Sequence, residues 1–157
     1  LAAATATLAI GVPLLAIVRG LEAFRPVPGR LVVRATAHGA TVIDDTYNAN
    51  PDSMRAALDD LATREVVGRR VAVLGDMREL GADAAEHHLE IGEIAREDGV
   101  ELLIGVGDLA RGYAPDVHVA DADAAAQALR EALKPGDTVL VKGSRAVGLE
   151  RVAEVLA

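Results

Sequence analysis

From residue 31 onward the chain alternates between two hydrophobic rhythms. Short runs rich in Val, Leu and Ile give way to longer stretches with apolar residues every three or four positions, the signatures of strands and helices. "LVVRATAHGATVIDD", Leu31 to Asp45, holds two β-rich runs about a His38-Gly39 turn and predicts a hairpin. After it come a helix from Pro51 to Arg64, the strand Arg69 to Asp76 and a helix from Asp83 to Asp98. The strand Glu101 to Gly107 follows, then a short helix around Asp108 to Tyr113 and the strand Val117 to Ala120. A helix from Asp121 to Leu133, the strand Thr138 to Gly143 and a last helix, Val147 to Leu156, complete the pattern. Strands with nearly unbroken apolar runs are buried on both faces, as in a parallel sheet covered by helices. The repeated βα order therefore predicts an α/β fold: a doubly wound, mostly parallel, Rossmann-like sheet with an N-terminal hairpin.

The first thirty residues have a different character. "LAAATATLAIGVPLLAIV" carries no charge, yet nearly half of it is Ala and Thr. Gly11-Val12-Pro13 interrupts it, and no basic region precedes it, so it reads neither as a membrane span nor as a signal peptide. Two short helices are expected, Leu1 to Ile10 and Pro13 to Glu22, the second opening on proline. The chain starts at Leu1 in mid-pattern, without an initiator methionine or a cap, and reads as a piece cut from a longer protein. "FRPVPGR", Phe24 to Arg30, is the expected connector. Residues 1–30 are thus assigned to a neighbouring domain and its linker, and 31–157 to the α/β domain.

Composition narrows the function. In 157 residues, 51% are apolar and 25% charged, which suits a soluble globular chain with one sizeable core. Aromatics are 2% and the net charge is −8, which argues against nucleic acid as a partner on both stacking and electrostatic grounds. The absence of cysteine excludes disulfides and thiol chemistry and fits a cytoplasmic location.

Ligands of doubly wound sheets sit beyond the carboxyl ends of the strands, which selects four loops. In Asp45–Pro51, Asp45, Tyr47, Asn48 and Asn50 cluster ahead of a proline-opened helix. Asparagine offers both donor and acceptor, and aspartate accepts from ribose hydroxyls. An Asx cap of the helix explains Asn50 alone. In Lys142–Arg145, a buried strand delivers Lys142, Gly143 frees the backbone, and Lys142 and Arg145 flank a helix start that suits a carboxylate or phosphate. No GxxxxGK[ST] loop occurs. In Asp76–Gly81, Asp76, Arg78 and Glu79 stand at a strand end, and capping suffices to explain Asp76. "GVGDLA", Gly105 to Ala110, has the spacing of a dinucleotide fingerprint, but it follows an internal strand and reads as a tight turn. "EHHLE", Glu86 to Glu90, lacks HExxH spacing and predicts no metal site; one histidine is expected to pack on the sheet or reach the Asp76 loop.

"DDTYNANPDSM", "LGDMRELG" with a following histidine, and "VKGSR" with a following "ER" occur in this order and spacing. Together they resemble the C-terminal domain of the Mur ligases, and the resemblance covers essentially the whole chain. It is strongest to members that join D-alanyl-D-alanine to UDP-N-acetylmuramoyl-tripeptide in peptidoglycan precursor synthesis. The family uses ATP, with Mg2+, to phosphorylate a carboxylate; an amine then attacks the acyl phosphate. The resemblance implies that Arg30, Asp45, Tyr47, Asn48 and Asn50 complete the ATP site on domain closure. It implies that Lys142, Ser144, Arg145 and, more remotely, Asp76 receive the dipeptide. His88 falls at the family's histidine position, His87 where an apolar residue is common, and Leu149 where methionine is frequent. The phosphate loop, the magnesium carboxylates and the UDP-substrate domain lie outside this sequence. The fragment alone is therefore expected to be inactive, with no catalytic residue and no bound cofactor or metal of its own. The rival readings are another ligase of this fold, such as a folylpolyglutamate synthase, a stand-alone dinucleotide module, or a non-catalytic interaction domain. The "DNPR" loop of the diamino-acid-adding ligases is absent.

Overall fold

A computed structural model describes residues 2–25 and 27–156. Leu1, the expected start of the first helix, and Pro26, within the expected connector, lie outside the described residues, as does Ala157. Two short helices, α1 (Ala2–Ala9) and α2 (Leu14–Glu22), come first. The α/β domain then runs β1 (Val32–Ala35), β2 (Thr41–Asp45), α3 (Pro51–Thr63), β3 (Arg70–Gly75), α4 (Ala84–Glu97) and β4 (Val100–Val106). It continues with β5 (Val117–Val119), α5 (Ala122–Ala132), β6 (Thr138–Lys142) and α6 (Glu150–Leu156). The expected short helix at Asp108–Tyr113 is a 3-10 turn, Leu109–Tyr113. The expected final helix is broken: Arg145–Val147 form a 3-10 turn, Gly148 adopts φ 74°, and α6 starts only at Glu150.

The six strands form one sheet in the order β1-β2-β6-β3-β4-β5. Only the β1–β2 hairpin is antiparallel; every other pairing is parallel. The mostly parallel α/β fold read from the sequence is borne out. Alternation along each strand sorts the core into two layers. Ile43, Ala72, Leu74, Leu103 and Leu140 face α3 and α4, with Met54, Leu58, Leu61 and Ile91. Val42, Val71, Val73, Ile104, Val139 and Val141 face α5 and α6, with Leu129, Val152 and Leu156. β6 itself is buried along its whole length.

This order fixes where a ligand can sit. β2 and β3 flank β6 and lead to α3 and α4 on one face, whereas β6 leads to α6 on the other. Neighbouring loops therefore part on either side of β6 and open a crevice at the carboxyl edge, the switch point of a doubly wound sheet. Asp45, Gly75 and Lys142 are the last residues of the three strands that meet there.

Candidate functional site

Parallel pairing of β2 and β6 sets Asp45 opposite Lys142. The Lys142 ammonium donates to Asp45 Oδ2 at 2.5 Å and to the Asn48 carbonyl at 3.0 Å. Asp45 Oδ1 accepts from the Leu31 amide at 3.1 Å, so both carboxylate oxygens are engaged. Beside this ion pair a pocket of about 430 Å³ is lined by Arg30, Asp45, Tyr47, Asn48, Asn50 and Lys142, with Leu31 and the α3 residues Ser53, Ala56 and Ala57. All five residues expected to face a nucleotide are among them.

The connector is tied to this pocket by Gly29. Tyr47 donates its amide to the Gly29 carbonyl at 2.9 Å, and a Cβ on Gly29 would stand 3.0 Å from the Tyr47 nitrogen. Gly29 also has φ +73°, which favours glycine. This close approach sets the Arg30 guanidinium over the Tyr47 ring, 4.0 Å from its centroid, with Arg145 at 5.7 Å from the same ring. Asn50 caps α3: its Oδ1 accepts from the Ser53 amide at 2.8 Å, while Ser53 Oγ accepts from the Asn50 amide at 3.1 Å.

A second pocket, of about 450 Å³, shares Asn48 and Asn50 with the first and is completed by Arg78, Glu79, Leu80, Ser144, Arg145 and Ala146. The β3 and β6 loops interlock to form it. Ser144 donates its amide to the Asp76 carbonyl at 3.0 Å, and Ser144 Oγ accepts from the Arg78 amide at 2.9 Å. Ser144 thus holds the neighbouring loop and makes no side-chain cap of its own turn. Glu79 sits at φ 65°, a conformation that strains a residue with a long side chain. Among the described residues the Glu79 carboxylate has no hydrogen-bond or ion-pair partner, and Arg145 has the Tyr47 ring but no carboxylate.

Of the four residues expected to receive the dipeptide, Ser144 and Arg145 line the second pocket, whereas Lys142 and Asp76 do not. Lys142 lines the first pocket, because its strand register ties it to Asp45. Asp76 lines neither pocket: it is 4% exposed, and its Oδ1 accepts from the Ala110 amide at 2.9 Å. Its carboxylate thus holds the Leu109–Tyr113 turn from the neighbouring strand end, while the N-cap residue Asp108 makes no side-chain cap. Gly107 makes room for that carboxylate, at φ +102° and with a virtual Cβ only 2.5 Å from Asp76 Oδ1. "GVGDLA" is accordingly a tight turn folded over a buried carboxylate.

His88 is fully buried and reaches the Asp76 loop, as expected of one of the two histidines. Its Nε2 accepts from the Met77 amide at 3.0 Å and Nδ1 donates to the Ala84 carbonyl at 2.6 Å, an arrangement that fixes the tautomer. Its ring lies 4.8 Å from that of Tyr113, whose hydroxyl donates to the Gly75 carbonyl at 2.9 Å. His87 Nδ1 lies 3.7 Å from a Glu90 carboxylate oxygen and, among the described residues, is buried without a hydrogen-bond partner. Among the described residues no three His, Cys, Asp or Glu side chains gather to hold a metal ion.

Sequence reading leaves several lining residues unassigned. Arg78 and Glu79 belong to "LGDMRELG" but carry no expected role; their place beside a strand end is the available signal. Ser53 is signalled by its spacing from Asn50. The Leu31 amide, a backbone group, has no signal.

Residues 29–145 match the family model described as Mur ligase, glutamate ligase domain. The chain belongs to the Mur ligase family. The matched stretch contains every lining residue of both pockets except Ala146. The chain is 40% identical over 185 aligned positions to the UDP-N-acetylmuramoyl-tripeptide–D-alanyl-D-alanine ligase of Mycobacterium tuberculosis, an alignment that covers 99% of this chain and 36% of that protein. It superposes on MurF from Acinetobacter baumannii with a TM-score of 0.81 at 31% identity, covering 94% of this chain and 34% of that one. For the MurF ligase of Thermotoga maritima, crystallised with ADP, the TM-score is 0.74 at 32% identity, covering 90% and 35%. The chain spans about a third of the length of these Mur ligases.

Proposed function

We propose that this chain is the C-terminal part of an ATP-dependent ligase that adds D-alanyl-D-alanine to UDP-N-acetylmuramoyl-tripeptide. In this reading the first pocket completes the nucleotide site through Arg30, Asp45, Tyr47, Asn48 and Asn50. The second presents the dipeptide. One observation carries the assignment: the second pocket offers guanidiniums at Arg78 and Arg145 and an unpaired carboxylate at Glu79. That set complements a zwitterion with a free carboxylate and a free amine. The carboxylate would lie against Arg145 and the hydrogen-bonded Ser144 loop, with Asp76 supporting from beneath.

The chemistry explains why two pockets should share a wall. ATP transfers its γ-phosphoryl group to a carboxylate oxygen, giving an acyl phosphate and ADP. The dipeptide amine then attacks the acyl carbon, loses a proton and expels inorganic phosphate, leaving an amide. An acyl phosphate must be kept from water, which favours closing this domain over an ATPase domain. Residues 1–30 would be the end of that domain and its linker. Their apolar side chains support this, since Ile10, Leu14, Leu15 and Phe24 are all more than 60% exposed. Magnesium would be held with the nucleotide by the other domain, since among the described residues no cluster of His, Cys, Asp or Glu offers it a site. Among the described residues no helix is long and apolar enough to cross a membrane. Such an enzyme would work in the cytoplasm, where ATP is supplied.

The test is phosphate release by the full-length ligase with UDP-N-acetylmuramoyl-tripeptide and ATP, comparing D-alanyl-D-alanine with L-alanyl-L-alanine. Release only with the D-dipeptide is expected, and none with either would sink the reading. Arg145→Ala should raise KM for the dipeptide by about 10- to 100-fold, the worth of a charge-assisted hydrogen bond, with a smaller change in kcat.

A further inference from the structure

We infer that Lys142 is a positioning residue that couples the two pockets, rather than a ligand for either substrate. The inference rests on the function proposed above but concerns a different group. Lys142 is only 2% exposed at the end of a buried strand, where an ammonium needs partners to offset its lost hydration. It has two, and they belong to different segments. Asp45 Oδ2 is the terminal carboxylate of β2, and the Asn48 carbonyl lies in the loop beyond it.

Each partner passes the constraint on. The other oxygen of Asp45 accepts from the Leu31 amide, at a residue held at φ 50°, and so anchors the connector immediately after Arg30. Asn48 lines both pockets. One buried cation therefore sets the relative positions of the connector, the Asn48 loop and the β6 edge. It is absent from the lining of the second pocket, where the exposed Arg78 and Arg145 are the cations within reach of a carboxylate. Removing the Lys142 charge leaves the Asp45 carboxylate without its cation and frees the Asn48 loop, so it disturbs both binding events at once.

The experiment compares wild-type full-length ligase with Lys142→Met and with the double variant Lys142→Met/Asp45→Asn. KM for ATP and for the dipeptide, kcat and the melting temperature are measured for each. In Lys142→Met both KM values are expected to rise together, on the order of tenfold or more, as loss of positioning requires. The double variant removes the unpaired carboxylate, so it should recover much of the melting temperature while KM for the dipeptide stays raised. It also carries the comparison if the single variant does not fold. A rise confined to one of the two KM values, for ATP or for the dipeptide, would make Lys142 a ligand for that substrate and overturn the inference. A lowered melting temperature with both KM values unchanged would make it merely structural and overturn the inference equally. If wild-type enzyme shows no dipeptide-dependent turnover, the function proposed above has failed, and amide hydrogen exchange still decides the Lys142 question. In the 157-residue chain, Lys142→Met should speed exchange at Leu31 and Tyr47; unchanged rates there refute the coupling.

Discussion

At the amino end of β6, opposite the pockets, Asp137 has its carboxylate enclosed by donors. Its Oδ1 accepts from the Arg69 amide at 3.0 Å; its Oδ2 accepts from the Arg69 guanidinium at 2.6 Å and from the Lys134 amide at 2.9 Å. Burial alone would raise its pKa, but the hydrogen bonds and charge of Arg69 win and hold it below the usual carboxylate range. A depressed folded pKa adds stability that is present above the unfolded value and lost as pH falls through the folded one. Urea unfolding at a series of pH values should therefore show stability declining below about pH 4, and Asp137→Asn should flatten that decline. His88 makes a second prediction at this scale. Its replacement by Phe leaves the buried Met77 amide without an acceptor and should cost about 1–3 kcal/mol in the same assay. Residue types were a fair guide here: a histidine after "LGDMRELG" does reach the Asp76 loop. What pattern could not give was partnership. Lys142 read as a cation free for a ligand because its opposition to Asp45 depends on strand register across a sheet whose order is not written locally.

Elements were the most legible level, and the reason is physical. The buried strands are short apolar runs that tolerate little polarity on either face, and the helices between them alternate apolar and polar faces clearly. Departures came where local backbone chemistry overrode the hydrophobic pattern. Gly148 at φ 74° splits the final helix, and the turn after β4 tightens to 3-10 because the Ala110 amide is drawn to Asp76. The start of α3 shows the converse, since proline, Asn50 and Ser53 spell out a cap that the structure makes in full. Two more pocket walls that went unassigned, Ala56 and Ala57, are small residues of α3, the first exposed and the second buried. Nothing in a sequence distinguishes alanines that make room for a ligand from alanines that make a helix.

For the whole molecule, stability should reside almost entirely in the sheet and the helices that cover it. Both core layers are drawn from residues beyond 41, and none of the apolar side chains of α1 or α2 belongs to either. α2 buries only Ile17, while Leu8, Ile10, Leu14, Leu15 and Leu21 remain exposed. A chain beginning at Gly29 keeps the connector residues that touch the pocket, including the Gly29 carbonyl that accepts from Tyr47. It should melt within about 3 °C of the full 157 residues, corresponding to less than ~1 kcal/mol. It should also be less prone to self-associate, because the exposed apolar helices are gone. Scanning calorimetry and light scattering on the two chains check both expectations. A drop of about 10 °C would mean instead that α1 and α2 stabilise the α/β domain, and that residues 1–30 should not be assigned to a neighbouring one.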